Sequence, residues 1–485
     1  MQNKNTFFKD QHLIILTFIM LFFMVIQFSS CTSDYEQWKE DVKNYSEDNK
    51  IDEAEFKKLV EAAQIADGGN FDSYKSNGKI VDSKLRDFIT KICKAAVWEP
   101  QKEVKSFDIN FYLENSGSMN GYLDDPNTQF KNSIYSLLAR LKLFVNKNKL
   151  NLYLINSTNQ LIHNNATNND IEHFKNILNP NEFRNISNGL TSQSDLNDMV
   201  QRCIQNSRNA MSVFVSDCIY SPGNSHPDAK QYLAYEKNGL FLNVSTELKI
   251  RDLAIIVLQI DANFKGKYYN RLNQEKIIGR HIKRPFYLWF IGNNVQIKSL
   301  IDSKILQDID GGYRNIAVFE KPNAIVAPDF RIISNPKIGD FDLDGNTINN
   351  AVADNRVFSF SLYVDFSNNM QELDYFSDPY NFKISDPNFK IQTTKLNEEF
   401  KPFTHQIKLT TSNLKSENLI LDVQGRLPSW VETSTSKDDI SFTADTSQWS
   451  RTFGLSYLLG GVSDAFYPKS GNSTIKSINI LINKQ

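Results

Sequence analysis

The sequence has little cysteine and little histidine, 4 and 6 residues in a chain of 485. So few cysteines exclude a disulfide-dense scaffold, and stability has to come from buried cores. The histidines are scattered, and no metal-protease helix, no Gly-x-Ser-x-Gly elbow and no phosphate-binding loop is present. These absences point away from an enzyme. A formal charge of -2 and a pI near 6.4 leave no basic field for nucleic acid. What is there is apolar enough to fold: 40% hydrophobic and 12% aromatic residues supply more than one core, and the length suggests about three domains.

The chain opens on a polar stretch with Lys4 and Lys9, followed by an almost wholly apolar run from Leu13 to Phe28. That run is shorter than the roughly 20 residues a spanning helix needs. It ends in Phe28-Ser29-Ser30-Cys31, which resembles a bacterial lipobox. The resemblance implies a cleaved signal peptide (1–30), acylation of Cys31, and a mature lipoprotein anchored to an envelope membrane, the outer membrane by preference, without crossing it. Ser33-Asp34 is similar to the acidic export tag of Bacteroidetes-type surface lipoproteins. The alternative is an uncleaved anchor helix, which Gln27 and the two serines interrupt where it would continue. Of the other cysteines, Cys203 falls on an apolar helical face and Cys218 follows an apolar strand, so both are expected as buried thiols; Cys93 is the third.

Residues 31–103 are charged and periodic. Phe56, Leu59, Val60 and Ala63 recur at helical spacing, as do Leu85, Phe88, Ile89 and Ile92, which predicts a small helical segment. Within it, Asn44, Ser46, Asp48, Asp52 and Glu55 place oxygens at positions 1, 3, 5, 9 and 12 of a loop similar to an EF-hand. A second echo ends in Lys84, which cannot ligate calcium. The segment is either a degenerate EF-hand or a helical hairpin with a polar loop.

From 104 to 312 strand and helix patterns alternate, the sign of an α/β sheet with helices on both faces. Expected strands are Phe107 to Leu113, Leu152 to Ile155, Val213 to Val215 and Leu253 to Ile260, the last two apolar enough to be central parallel strands. Helices are expected after Pro126, carrying Phe130, Ile134, Leu137, Leu138, Leu141 and Val145, and after a cap at Ser194, carrying Leu196, Met199, Val200, Cys203 and Ile204. Asp108 and Asn110 are unusual for a central strand. Asn263 to Lys283 is basic and aromatic, either a partner-binding arm or an edge hairpin.

Residues 313–485 read as a β-sandwich-like domain, with strands at Phe358 to Val364, Phe389 to Thr393, Gln406 to Leu409, Leu419 to Val423, Ile440 to Phe442 and Ile478 to Ile482.

The densest local signal is the end of the first α/β strand, Glu114-Asn115-Ser116-Gly117-Ser118-Met119. Ligands gather past the carboxyl ends of strands in open α/β sheets, and here that crest offers a carboxylate and two hydroxyls on alternate residues. Two later loops, Thr191-Ser192-Gln193-Ser194-Asp195 and Val215-Ser216-Asp217, can add oxygen donors. With its three loops in this order, the region resembles the von Willebrand factor A family and its metal-ion-dependent adhesion site. The resemblance implies a Rossmann-like sheet, Mg2+ or Mn2+ held by Glu114, Ser116, Ser118, Ser194 (or Thr191) and Asp217, and a protein partner whose acidic side chain completes the coordination. Glu114 stands where the family has aspartate, and Cys218 where it has glycine.

A second cation candidate is Asp340, Asp342 and Asp344 followed by Gly345, spaced as in a calcium loop, although Ala351 stands where a bidentate carboxylate is needed. The expected protein is therefore a membrane-anchored, metal-assisted binding module. The alternative is a Ca2+-stabilised glycan-binding or scaffold lipoprotein acting through its β-rich half, where Trp430, Tyr457 and Tyr467 either stack on sugars or, by preference, pack in the core. A metal hydrolase using Glu114 and Asp217 to activate water is the third reading.

Overall fold

The computed structural model describes residues 34–485 apart from 47–49, 52, 67–68, 77–78, 93–96, 99–106, 125–127, 187–188, 190–194, 222–227 and 323–327. Residues 1–30, expected as a signal peptide, and Cys31 lie outside the described residues. The chain divides into two compact units, Met1–Glu103 and Val104–Gln485. Among the described residues no helix is long and apolar enough to cross a membrane.

In the first unit, helices α1 (Asp34–Tyr45), α2 (Glu53–Ile65) and α3 (Asp82–Ile92) enclose a core of Trp38, Val42, Phe56, Leu59, Ala63, Phe71, Leu85 and Ile89. The helical periodicity thus names its buried face. Ser46 terminates α1 by donating its hydroxyl back to Val42 O at 2.7 Å, so it does not face into a calcium loop. Asp48 and Asp52 lie outside the described residues. The short strand between them, Lys50–Ile51, pairs in parallel with Val97–Trp98, not with the Lys75–Ser76 hairpin that the second echo forms.

The second unit is mixed α/β. Its seven-stranded sheet runs β7-β5-β6-β4-β1-β2-β3, built from β1 (Ile109–Glu114), β2 (Leu150–Ile155), β3 (Asn159–His163), β4 (Met211–Ser216), β5 (Leu253–Tyr269), β6 (Glu275–Asn293) and β7 (Asn315–Glu320). Side chains alternate across a strand. Ile109, Phe111 and Leu113 therefore face one helix layer, α4 (Gln129–Val145) and α5 (Asn168–Asn176), while Tyr112 faces the other, α7 (Leu196–Asn206) and α8 (Ala229–Ile250). Each fully buried aliphatic side chain in these layers contributes about 1.5–3 kcal/mol. The polar residues of β1 are satisfied locally: Asp108 Oδ1 accepts from Lys149 N at 2.9 Å and Asn110 Oδ1 from Asn151 Nδ2 at 2.8 Å, across the β1–β2 register.

β1 is parallel to β2 and β4, but β5 is antiparallel to both its neighbours, because β6 returns from a hairpin and inserts between β4 and β5. The apolar run Leu253 to Ile260 reports burial on both faces, not parallel pairing. The hairpin of Asn263 to Lys283 is an extension of two central strands, not an edge. The boundary expected between 312 and 313 falls within the sheet layer, since β7 is its edge strand.

The β-rich half supplies two sheets. One has the order β8-β11-β14-β13, from β8 (Phe330–Ile338), β11 (Phe358–Val364), β13 (Lys390–Lys395) and β14 (His405–Thr411). The other runs β9-β10-β16-β15-β12, from β9 (Asp340–Asp344), β10 (Thr347–Val352), β12 (Phe382–Ile384), β15 (Glu417–Gln424) and β16 (Thr474–Lys484). Phe360, Leu362, Leu409, Leu421 and Ile480 from the two sheets share one core, and helix α10 (Leu455–Phe466) joins that core to the α8 face of the large sheet. Ile440 to Phe442 is a turn, not a strand.

Candidate functional site

β1 and β4 are neighbouring parallel strands with Leu113 opposite Val215, so their next residues, Glu114 on one and Ser216-Asp217 on the other, emerge together at the crest. Both carboxylates are buried, Glu114 2% and Asp217 1% exposed. After Glu114 the chain turns through a 3-10 segment, Gly117–Tyr122, which brings Ser116 and Ser118 onto one side with their hydroxyl oxygens 3.0 Å apart. After Asp217 it turns at Cys218, where φ is +54° and the amide donates to Ser216 Oγ at 2.7 Å. The Cys218 thiol is buried and accepts from Trp289 Nε1 at 3.4 Å, which is the packing role expected of it; Cys203 is buried too.

Asp217 Oδ1 accepts from Ile219 N at 3.3 Å, while Oδ2 is buried without a hydrogen-bond partner; the Ser118 hydroxyl is close enough to favour the charged form but makes no well-formed bond to Oδ2. Burial first, and the Glu114 charge second, push the Asp217 carboxyl up to about 7, against the pull of Arg284 and Ser118. Two adjacent buried carboxylates call for positive charge.

Part of that charge is Arg284, which sequence reasoning missed. It lies on β6 three residues beyond Tyr287, the partner of Ser216, and so overhangs the crest. It is 0% exposed. Its guanidinium lies 4.7 Å from the Tyr268 ring centre, 4.8 Å from that of Phe442 and 5.6 Å from that of Phe264, a cation held against π faces. Burial opposes the Arg284 charge, but Tyr122, Tyr268 and Asp217 more than offset it and hold its pKa above the ordinary range. Its Nε and Nη2 have no hydrogen-bond partner among the described residues. The only sequence signal was a basic residue placed directly before the apolar run Pro285 to Phe290.

The β5–β6 hairpin forms an arm over this crest. A Cβ at Gly121 would lie 2.3 Å from the Phe264 ring, so only glycine lets the turn and the arm meet. Tyr122 Oη donates to Pro285 O at 2.7 Å. The arm is fastened from above by the β-rich half: Tyr268 stacks on Phe442 at 3.7 Å and donates to Asp439 Oδ2 at 2.5 Å, and Arg271 N donates to Asp439 Oδ1 at 2.9 Å. Between arm and crest is a pocket of about 260 Å³, lined among others by Ser116, Ser118, Asn120, Arg184, Lys267 and Tyr269.

Of the expected adhesion-site residues, Glu114, Ser116, Ser118 and Asp217 come together, and Thr191 and Ser194 lie outside the described residues. Ser194 is not the cap of α7: Asp195 is, its side chain accepting from Asp198 N at 2.9 Å. Among the described residues no group of three or more histidine, cysteine, aspartate or glutamate side chains is arranged to hold a metal. A cation at the crest would therefore rest on two carboxylates and two hydroxyls. The orphaned Asp217 Oδ2 beside that hydroxyl pair fits a hard cation that takes oxygen ligands.

The residues expected to form a calcium loop form a strand. Asp340, Asp342 and Asp344 lie along strand β9, about 6.8 Å apart at successive alternate positions, where they cannot converge on one ion. Gly345, at φ +56°, makes the hairpin turn into β10. Asp340 pairs with Lys337, and Asp342 accepts from Asn350 Nδ2 at 2.8 Å. Of the three aromatic residues, Tyr467 is buried beside Phe319 and Phe466, while Trp430, which donates to Ile316 O at 2.8 Å, and Tyr457 are half-buried against the same core, in line with a packing role. The chain matches no protein-family model, no curated protein and no solved structure.

Proposed function

We propose that this chain is a membrane-anchored lipoprotein, acylated at Cys31, whose sheet crest binds a divalent cation, Mg2+ or Mn2+, and through it a protein partner, in the manner of a von Willebrand factor A domain. It acts as a binding module and not as an enzyme. The observation that carries the reading is the convergence of Glu114 and Asp217 from adjacent parallel strands beside the Ser116–Ser118 hydroxyl pair at 3.0 Å.

The order β3-β2-β1-β4, with β3 antiparallel at the edge, supports the family comparison for the first half of the sheet. The second half departs from it through the inserted strand β6 and the arm. Glu114 reaches one methylene further than aspartate and would ligate directly. The ion would add to the positive charge of Arg284 beside Asp217, with Asp217 ionised by its presence. Calorimetric titration of Mn2+ into the full chain tests this: binding to the wild type that Asp217→Ala abolishes is the expected result, and equal affinity in the two rejects the reading.

A further inference from the structure

The pocket over the crest is assembled from three distant stretches of chain. Ser116 and Ser118 make its floor, Arg184 from helix α6 (Pro180–Asn185) one side, and Lys267 and Tyr269 from the arm the other. Arg184 and Lys267 are near enough for each to repel the other's charge. Lys267 is held by Glu275 at 2.7 Å, whereas Arg184 is exposed. Nothing in the fold requires two cations to meet there, since neither supports a core.

The charges around the pocket decide what it would hold. Glu114, Asp217 and Asp439 share the Arg284 charge, and none of the four lines the pocket, whose charged lining among the described residues is Arg184 and Lys267 with no carboxylate. These two cations face an incoming group whether or not the ion is bound, so only the partner, not the ion, is carried over from the proposed reading. A single carboxylate cancels one of these charges; a phosphate monoester, with a charge of roughly -1.5 to -2 at neutral pH, cancels about both. Its tetrahedral oxygens also suit donors arriving from several directions, and the guanidinium and ammonium are the side chains that pair with phosphate most strongly. A pocket of about 260 Å³ has room for one such group.

We infer that the pocket receives a phosphoryl group, held between Arg184 and Lys267 above the Ser116–Ser118 floor. The partner is thereby recognised through one phosphorylated moiety that enters beneath the arm, not through a flat protein surface.

The test is calorimetry on the full chain with inorganic phosphate and with acetate, each in saturating Mg2+, for the wild type, Arg184→Ala and Lys267→Ala. Both residues are solvent-accessible, and Mn2+ titration of each variant without phosphate reports whether the crest is intact. Phosphate is expected to bind at least about tenfold tighter than acetate, and each variant to weaken it about tenfold with Mn2+ affinity unchanged. Phosphate binding no tighter than acetate, or unaltered in both variants, overturns the inference. If the wild type binds no Mn2+ yet binds phosphate through Arg184 and Lys267, the cation reading falls and the phosphoryl site stands. If it binds Mn2+ but no phosphate, the reverse holds.

Discussion

The crest of the large sheet and the interior of the sandwich are buried to the same depth and built on opposite terms. In the sandwich, apolar side chains face one another, as where Phe366 stacks on Phe376 at 3.9 Å, and its paired carboxylates Asp386 and Glu417, which each keep one oxygen without a hydrogen bond, have Lys415 as a counter-ion. His405 lies within hydrogen-bond distance of Ser377 Oγ at 3.2 Å and Thr404 Oγ1 at 3.0 Å, and burial first, then Lys395, push its pKa down to about 4, so it packs as a neutral ring. At the crest, Asp217 and Arg284 carry buried polar atoms without partners. A core that gives its charged groups a counter-ion is architecture; one that leaves charged groups wanting a counter-ion is a site for something else.

This contrast can be broken in order of expected effect. Removing the crest's internal cation by Arg284→Met should cost about 3–5 kcal/mol in urea unfolding, because it strands the carboxylates, and Mn2+ should restore part of the loss. A neutral result would mean that the crest is not held by charge. Leu421→Ala in the sandwich should cost about 2–5 kcal/mol through the cavity it leaves, with no recovery on adding Mn2+. Tyr268→Phe, which takes the donor from buried Asp439 and loosens the arm's fastening, should cost about 1–3 kcal/mol and leave Leu421→Ala additive with it.

The smallest effects are in pH, and their signs differ between the regions. Asp217 holds its proton to about pH 7 in the fold but releases it near 4 when unfolded, so its contribution declines as pH rises from about 4 to 7. His405 is neutral in the fold down to about pH 4 but takes a proton near 6.5 when unfolded, so its contribution is lost as pH falls from about 6.5 to 4. Between about pH 4 and 6.5, Asp217→Asn should make the melting temperature rise more steeply with pH than in the wild type, and His405→Gln less steeply. If both variants shift the slope in the same direction, the distinction between the regions fails.

Much of this was legible in the sequence where one period dominates. Helices α4 and α7 and strands β1, β4 and β11 follow from apolar spacing alone, because each buries a continuous face. The crest carboxylates and serines were legible from the strand-then-turn pattern. What escaped was long-range. No local pattern says that β6 inserts between β4 and β5, or that residue 284 lies over residue 217, because both follow from how a hairpin folds back. The Asp340 to Gly345 run was misread because alternating aspartates before a glycine suit a calcium loop and a β-hairpin equally well. Ile440 to Phe442 misled because Phe442 serves the arm, under Tyr268, while Ile440 is exposed, and neither belongs to a sheet.

The most direct test of the cation site is an anomalous difference map from crystals of the full chain soaked in Mn2+. One peak within about 2.0–2.3 Å of oxygens from Glu114, Ser116, Ser118 and Asp217 is predicted. Crystals that retain the crest geometry at high Mn2+ and show no peak there, with Arg284 alone facing Asp217, would contradict it.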